Sequence, residues 1–434
     1  MYNCGNPERM DCVKNRQMIL PDVYLTAVQS GKFKTGCLSL SLLRPLRREE
    51  ASANALIPSV LLRGSENHPD MKSISEFLDE LYGASVGTLV RKKGEVQTTG
   101  FYADFLEDDY ALQSEDILGR MIGFVGELLL RPVLRDGVFD ESFVEGEKQN
   151  LVNAIDARIN DKRTYVVSQL LRSMCGGEAY GVPRLGDAED VEKLDAASLY
   201  RHYRGILANS RVEIFYLGRA DAGRVAALLR EALRGLPRGK AEPFGTLVVP
   251  AAGGTREGEE RLDVTQGKLA MGLRLGCTAA DPEYPAALLM NAVYGGGVTS
   301  KLFLNVREKL SLCYYASSTL EKFKGVMVVS SGVEFSDFGA ARAEILRQLD
   351  DCRAGNITDE ELESARTYIL SSLKAGMDSP GRLDDYEIGQ IILGREGTME
   401  DLAGQVKLVT REQTAAAAAR VTLDTVYLLK GASA

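Results

Sequence analysis

The chain holds two histidines, His68 and His202, and that scarcity bounds the chemistry it can perform. Catalytic zinc usually takes two or three imidazoles with a carboxylate nearby. His68 in "SENHPD" and His202 in "YRHYRG" are far apart in the chain, each in a polar setting that suits a surface or a helix face. A Ser-His-Asp or Cys-His device would have to recruit one of the same two residues. The glycines Gly295, Gly296 and Gly297 in "YGGGVTSKLF" lack the G-x-x-x-x-G-K-[ST] spacing and follow a helical stretch rather than a strand, so they do not read as a phosphate loop. Downstream, in "LFLNVREKLSLCYY", Arg307 and Tyr314 stand seven residues apart, which is two helical turns or a helix-to-strand corner. Both can then face one space. A guanidinium and a phenol can donate together to a peptide carbonyl or a developing oxyanion. A surface arginine beside a packed tyrosine fits the same residues, and the pair alone does not decide between the two.

The elements that must position such groups are legible in the periodicity. "CLSLSLL" reads as a strand, and "SISEFLDELYG" places Ile74, Phe77, Leu78 and Leu81 on one helical face before a stop at Gly83. A longer helix is expected from near Ser114 to the Arg131-Pro132 step, then helices around Phe143 to Ala157 and Lys162 to Cys175, and "RVEIFYLG" as a buried strand. Residues 53 to 66, "ANALIPSVLLRGSE", have helical spacing with Pro58 inside, which marks a boundary, a kink or a site that has been altered. After a helix through Val225, Leu228 and Leu229, the Pro- and Gly-rich "PRGKAEPFGTLVVPAAGGTREGEE" is the best linker candidate. We therefore expect a first domain over 1–236, a linker over 237–260 and a second domain over 261–434. The second half repeats the plan with "KLAMGLRLG" and "GVMVVSSGV" as strands, and with capping boxes at Thr358 to Glu361 and Thr410 to Gln413. The repetition is one of element order and not of residue identity.

Composition removes whole classes of function. At 434 residues, 45% hydrophobic and 26% charged, the chain is an ordinary globular length of two or three domains, with no apolar run long enough to cross a bilayer. A formal charge of −9 argues against nucleic acid or an anionic membrane as the main partner. "RPLRREE" and "VRKKGE" are short and balanced, and read as solvated loop or edge strand. Seven scattered cysteines without a C-x-x-C pair, together with a start that lacks an export signal, lead us to expect a cytoplasmic chain with buried thiols.

Over residues 295 to 318, "GGGVTSKLFLNVREKLSLCYYASS" resembles the C-terminal-domain signature of the pitrilysin/insulinase-type zinc peptidases, the family that includes the mitochondrial processing peptidases. In that signature a glycine run precedes S-R-L-F-x-x-V-R-E-K-x-G-L-x-Y; here Lys301 replaces the first arginine and Ser311 the last glycine. "AYGVPRLGDAEDVEKLDAASLYRHYRGILANSRVEIFYLG" is similar to the family's first-half stretch leading into a strand that ends in glycine. The resemblance implies an α+β fold: two homologous domains, each a mixed, mainly antiparallel sheet with helices on one face, forming half of a clam-shell.

Registering "RGS" on the family's K-G-T after H-x-x-E-H places Ala55 and Ser59 at the zinc histidines and Pro58 at the general-base glutamate. Ala154 falls at the third ligand, with Glu147 matching the acidic residue seven positions before it. The resemblance therefore implies a chain with no zinc and no other cofactor of its own, in which Arg307 and Tyr314 grip a peptide in trans for a homologous partner that carries H-x-x-E-H and zinc. The alternative it leaves is a catalytically dead structural or peptide-binding homodimer. More narrowly, "NALIPSVLLRGSE" and "FLDELYGASVGTLVRKKGE" resemble zinc-less peptidase-like proteins of Firmicutes associated with the 5-aminopentanone modification of elongation factor P.

Overall fold

A computed structural model of the chain describes residues 13–432; Cys4, Cys12 and the stretch of the start before residue 13 that was read for an export signal lie outside them. The chain divides into two compact units. The first takes the chain up to Asp156 and again from Pro183 to Phe244, and the second takes Ala157–Val182 and the chain from Gly245 on.

In the first unit the strands are β1 (Val13–Leu20), β2 (Val23–Gln29), β3 (Thr35–Pro45), β4 (Ser85–Lys93) and β5 (Val96–Leu106), the short hairpin β6 (Leu134–Arg135) and β7 (Val138–Phe139), and β8 (Arg211–Gly218). Its helices are α1 (Arg48–Leu61), α2 (Met71–Glu80), α3 (Ile117–Leu130), α4 (Glu141–Asp156), α6 (Ala188–Glu192), α7 (Ala196–Asn209) and α8 (Ala222–Ala232). The main sheet runs β1-β2-β8-β3-β5-β4, antiparallel except for the parallel β2–β8 pair. Side chains alternate across a strand, and Leu38, Leu40 and Leu42 of β3 join the helices in one apolar core with Phe101, Ile122, Leu128, Leu199 and Ile214.

The second unit holds α5 (Lys162–Met174), then β9 (Arg256–Leu262), β10 (Gly267–Arg274), α9 (Tyr284–Asn291), β11 (Tyr315–Glu321) and β12 (Val326–Val333). After these come α10 (Phe338–Arg353), α11 (Asp359–Gly376), α12 (Pro380–Leu393), α13 (Met399–Leu408), α14 (Arg411–Ala419) and β13 (Thr422–Gly431). Its sheet runs β11-β12-β10-β13-β9, antiparallel except for the parallel β13–β9 pair. Leu269, Met271 and Leu273 point into the core with α9 and α10, while Ala270 packs on Val166, Leu170 and Met174 of α5 across the opposite face. Gly272 lies on that second face, where an added Cβ would sit 2.5 Å from Met174 Sδ and would push the methionine side chain aside. Both expected capping boxes are made, by Thr358 with Glu361 and by Thr410 with Gln413.

Residues 157–182 fall within the first domain as read from the sequence, yet they belong to the second unit; the first unit runs to Phe244, and β9 begins inside the expected linker. The reason is a set of long-range contacts. Arg274 of β10 pairs with Glu178 at 2.6 Å and with Asp424 of β13 at 2.7 Å, and Glu178 also pairs with Lys324 at 2.6 Å. Burial alone would raise the Glu178 carboxyl, but hydrogen bonds from Arg274 and Lys324 outweigh it and hold the group below its usual range. Arg256 and Arg274 also donate to the Met174 carbonyl at 2.7 and 3.2 Å, placing positive charge at the C-terminus of α5, where the helix dipole favours it.

Candidate functional site

Two regions carry the family signature, one in each unit. In the first, Ala55, Pro58 and Ser59 sit on α1, which packs against α4, the helix of Glu147 and Ala154. Ala55 and Pro58 are buried, Ser59 is half-buried, and Ala154 is exposed. The proline is neither a boundary nor a stop: α1 continues through it, and Leu62 N–H still donates to the Pro58 carbonyl at 3.1 Å. What Pro58 removes is the N–H that would have bonded the Asn54 carbonyl one turn back. Glu147 is half-buried and pairs with Arg63 at 3.4 Å rather than facing a ligand set. Zinc needs imidazole, thiolate or carboxylate ligands; two methyl groups and a hydroxyl offer none, so these positions do not fit the metal. Among the described residues no three His, Cys, Asp or Glu side chains are grouped to hold a metal ion.

The "RGS" corner after α1 has its own structural reason. A Cβ at Gly64 would lie 2.5 Å from the Pro69 carbonyl oxygen. Ser65 is fully buried and donates to Glu127 at 2.6 Å, and Asn67 donates to the same carboxylate through its backbone and side chain, both at 2.9 Å. Burial would raise the Glu127 carboxyl, but these bonds prevail and keep it below its usual value. His68 completes the cluster, with Nδ1 at 3.3 Å from Glu127 and its ring against Phe77 and Phe124. His202, expected on a surface or helix face, is instead largely enclosed: Nε2 lies 2.7 Å from Asn54 Oδ1, and Asn54 Nδ2 donates to Gln97 at 2.9 Å. Burial, with Arg44 adding to it against Glu50, pushes the imidazole below its ordinary value. Both histidines are therefore structural. Arg44, read as part of a solvated run, is also buried and pairs with Glu50 at 2.9 Å. Residues 83–87 spell G-x-S-x-G, but Ser85 opens β4 after a helix, the reverse of the strand-to-helix turn that exposes a nucleophile.

In the second unit the glycine run follows α9 as a π-helical turn over Ala292–Gly296, and a second π-helical segment spans Leu302–Lys309. Such wide turns recur at functional sites. Gly295 is needed for close approach, since a Cβ there would lie 2.7 Å from Ser318 N on β11. Lys301, in place of the signature's arginine, is buried and pairs at 2.8 Å with Glu361. Ser311, in place of its glycine, keeps the left-handed backbone with φ of 52°, a conformation that costs a non-glycine residue about 1 to 2 kcal/mol. That turn ends the π-helical segment and starts β11, so the chain presents Tyr314 with its N–H on the Gly332 carbonyl at 2.8 Å and its side chain 58% exposed.

Arg307 is half-exposed, lies over the Phe303 ring at 4.6 Å and pairs with Glu308 at 3.5 Å. Tyr314 Oη donates to Glu334, whose carboxylate raises the phenol above its ordinary value. No hydrogen bond joins the two side chains; each is held by a neighbouring carboxylate on the protein surface. Arg163 of α5 backs the strand behind them, stacked on Tyr315 at 4.3 Å and donating to Ser317 at 2.9 Å. Glu334 and Arg163 lie outside the signature, and nothing in the sequence singles them out.

Comparison with known proteins agrees with this geometry. Residues 193–369 match the family model described as the peptidase M16 inactive domain. The chain is 31% identical over 407 residues to the probable inactive metalloprotease YmfF of Bacillus subtilis, covering 93% of this chain and 95% of that one. It is 25% identical to the uncharacterized zinc protease Rv2782c of Mycobacterium tuberculosis, covering 80% and 88%. Among solved structures, a conserved protein from Enterococcus faecalis aligns with a TM-score of 0.90 at 28% identity, covering 97% of this chain and 99% of that one. A peptidase M16 inactive domain from Pseudomonas fluorescens aligns at 0.76 and 17% identity, covering 97% and 98%, a likeness of fold. With a relative this similar over nearly its whole length, and with the M16 model matching residues 193–369, the chain belongs to the M16 peptidase family.

Proposed function

We propose that this chain is the non-catalytic, substrate-gripping subunit of a two-chain zinc endopeptidase, paired in the cytoplasm with a homologous chain that carries H-x-x-E-H and the zinc. The observation behind this reading is the contrast between Ala55, Pro58 and Ser59 on α1, which offer neither a metal ligand nor a carboxylate base, and the second-unit motif, where Arg307 and Tyr314 remain accessible. Both are hydrogen-bond donors beside carboxylates: Tyr314 donates to Glu334, which an incoming peptide carbonyl can replace as acceptor, and Arg307 forms only an ion pair with Glu308, leaving its donors available to a carbonyl. In this reading the partner activates water, and this chain holds the backbone on either side of the scissile bond.

The test is co-expression with homologous H-x-x-E-H chains, followed by size-exclusion chromatography, zinc analysis and a peptide-cleavage assay. A complex with one zinc per pair that cleaves peptide supports the reading. A stable homodimer that ignores every such partner supports the second one, a catalytically dead structural or peptide-binding protein, which the word "inactive" in the Bacillus relative's name favours. The narrower association with elongation factor P modification is tested by deleting the gene and measuring the mass of that factor; an unchanged mass removes it.

A further inference from the structure

The first sheet ends at β4, which pairs with β5 on one side and, among the described residues, has no strand on the other. Such an edge offers alternate backbone N–H and C=O groups to any extended chain, and proteins that must not be paired there blunt it. The outward residues are identified by one hydrogen bond: Arg184 Nη1 donates to the Val90 carbonyl at 2.8 Å. Backbone direction alternates along an antiparallel strand, so Val86 and Thr88 face outward with Val90.

The side chain that reaches Val90 is exposed, but its base is fixed. Gln97 Nε2 donates to the Arg184 carbonyl at 2.7 Å and to the Ala51 carbonyl at 3.0 Å, tying the turn after Pro183 to both β5 and α1. Asp187 N–H donates to Ser52 Oγ at 3.2 Å, and the Asp187 carboxylate pairs with Arg48 at 3.1 Å. Gly186, between them, is left-handed at φ of 71°, and a Cβ there would lie 2.7 Å from the Ser52 nitrogen. A long cationic arm thus stands on a rigid turn, with its donor fork on one edge carbonyl.

We propose that Arg184 is a plug that closes the β4 edge of this chain to strand addition by an extended polypeptide. With Val90 engaged, the open part of the edge shortens to the stretch around Val86 and Thr88, less than an ordinary strand needs to pair. "VRKK" adds positive charge at the same end, a second blunting device. If this chain is the gripping half proposed above, on which the next statement rests, a bound peptide cannot be drawn into an unproductive register on the β4 edge.

The experiment uses the full chain alone, without any partner. Wild type, Arg184→Ala and Arg184→Lys are titrated with a fluorescein-labelled peptide of alternating threonine and valine with glutamate ends, following anisotropy and hydrogen–deuterium exchange of residues 85–93. Freeing a charge-assisted edge position should tighten binding of the alanine variant by about tenfold or more, with new protection confined to β4, and the lysine variant should lie between. Equal affinity for all three, a gain without new protection of the outward amides of β4, or peptide-induced protection of those amides already in the wild type overturns the plug. Circular dichroism confirms that each variant is folded, and the lysine variant carries the comparison should the alanine variant fail to fold. Because the readout is at β4 and needs no partner, Arg307 or zinc, failure of the plug is separable from failure of the gripping role.

Discussion

The stretch of α1 around Pro58 and the Arg307/Tyr314 motif are the two regions singled out by the resemblance, and they differ in what they present. On α1, Ala55 and Pro58 are buried, on the same helix as the core residues Leu56, Ile57, Val60 and Leu61. At the motif the replaced positions are supports and the presented groups remain: Lys301 has kept a buried ion pair, Ser311 has kept a strained backbone, and Tyr314 is still exposed. A left-handed residue or an exposed phenol is not by itself a mark of function, since Tyr82 combines both at φ of 61° and 37% exposure. What sets the motif apart is that an accessible guanidinium and an accessible phenol lie seven residues apart, each beside a carboxylate, and the proposed gripping role rests on that pairing.

The largest effect that can break this contrast is on the pair itself. Arg307→Ala or Tyr314→Phe should lower peptide cleavage by the reconstituted complex roughly a hundredfold, the usual effect of removing one preorganised donor, while the elution position of the pair is unchanged. Normal turnover in either variant would assign the motif to packing. Next, Pro58→Ala restores the N–H facing the Asn54 carbonyl and should stabilise the chain by about 1 to 3 kcal/mol in urea unfolding, with no change in activity. A lower midpoint would mean that the ring's packing outweighs the missing bond. Ser311→Gly should add about 1 kcal/mol by relieving the left-handed serine, and equal midpoints would remove the strain argument.

The smallest effect is on pH dependence. His202 has a folded value below its ordinary one because it is buried beside Arg44. The unfolded chain therefore takes up its proton first, and stability falls as pH drops below about 6.5, the ordinary histidine value. Melting at pH 7.5 and 5.5 should show this loss in the wild type and less of it in His202→Gln; equal losses would show that other groups dominate.

Much of the fold could be read from periodicity and caps. Leu38, Leu40 and Leu42 alternate as a strand must, and Thr358 and Thr410 announce helix starts three residues before an acid or an amide. The proposed degenerate site rests on a different kind of signal: Ala55, Pro58 and Ser59 bear on function only through the register that the resemblance gives "RGS". What escaped the sequence are partnerships. The helical pattern of Lys162 to Cys175 shows that α5 has an apolar face but not which sheet that face will cover. Glu178, Arg274, Lys324 and Asp424 lie far apart in the chain and look like ordinary surface charges until the fold gathers them. His202 reads as a surface or helix-face residue because its partner Asn54 and the Gln97 beyond it lie on distant stretches of chain, whereas Arg44 and its partner Glu50 share one charged run whose burial the sequence does not announce.

The assignment of α5 to the second unit bears on synthesis at the ribosome. Its apolar residues Val166, Leu170 and Met174 emerge before β8, which lies between β2 and β3 of the first sheet, and well before β10 and β13, the strands they will cover. β13 lies between β10 and β9, so the second sheet stays split until nearly the last element has been translated. The nascent molecule therefore carries an uncovered helix face from the synthesis of α5 until that of β10, and then an unpaired β10 edge until that of β13, both attractive to holding chaperones and to a folding partner subunit.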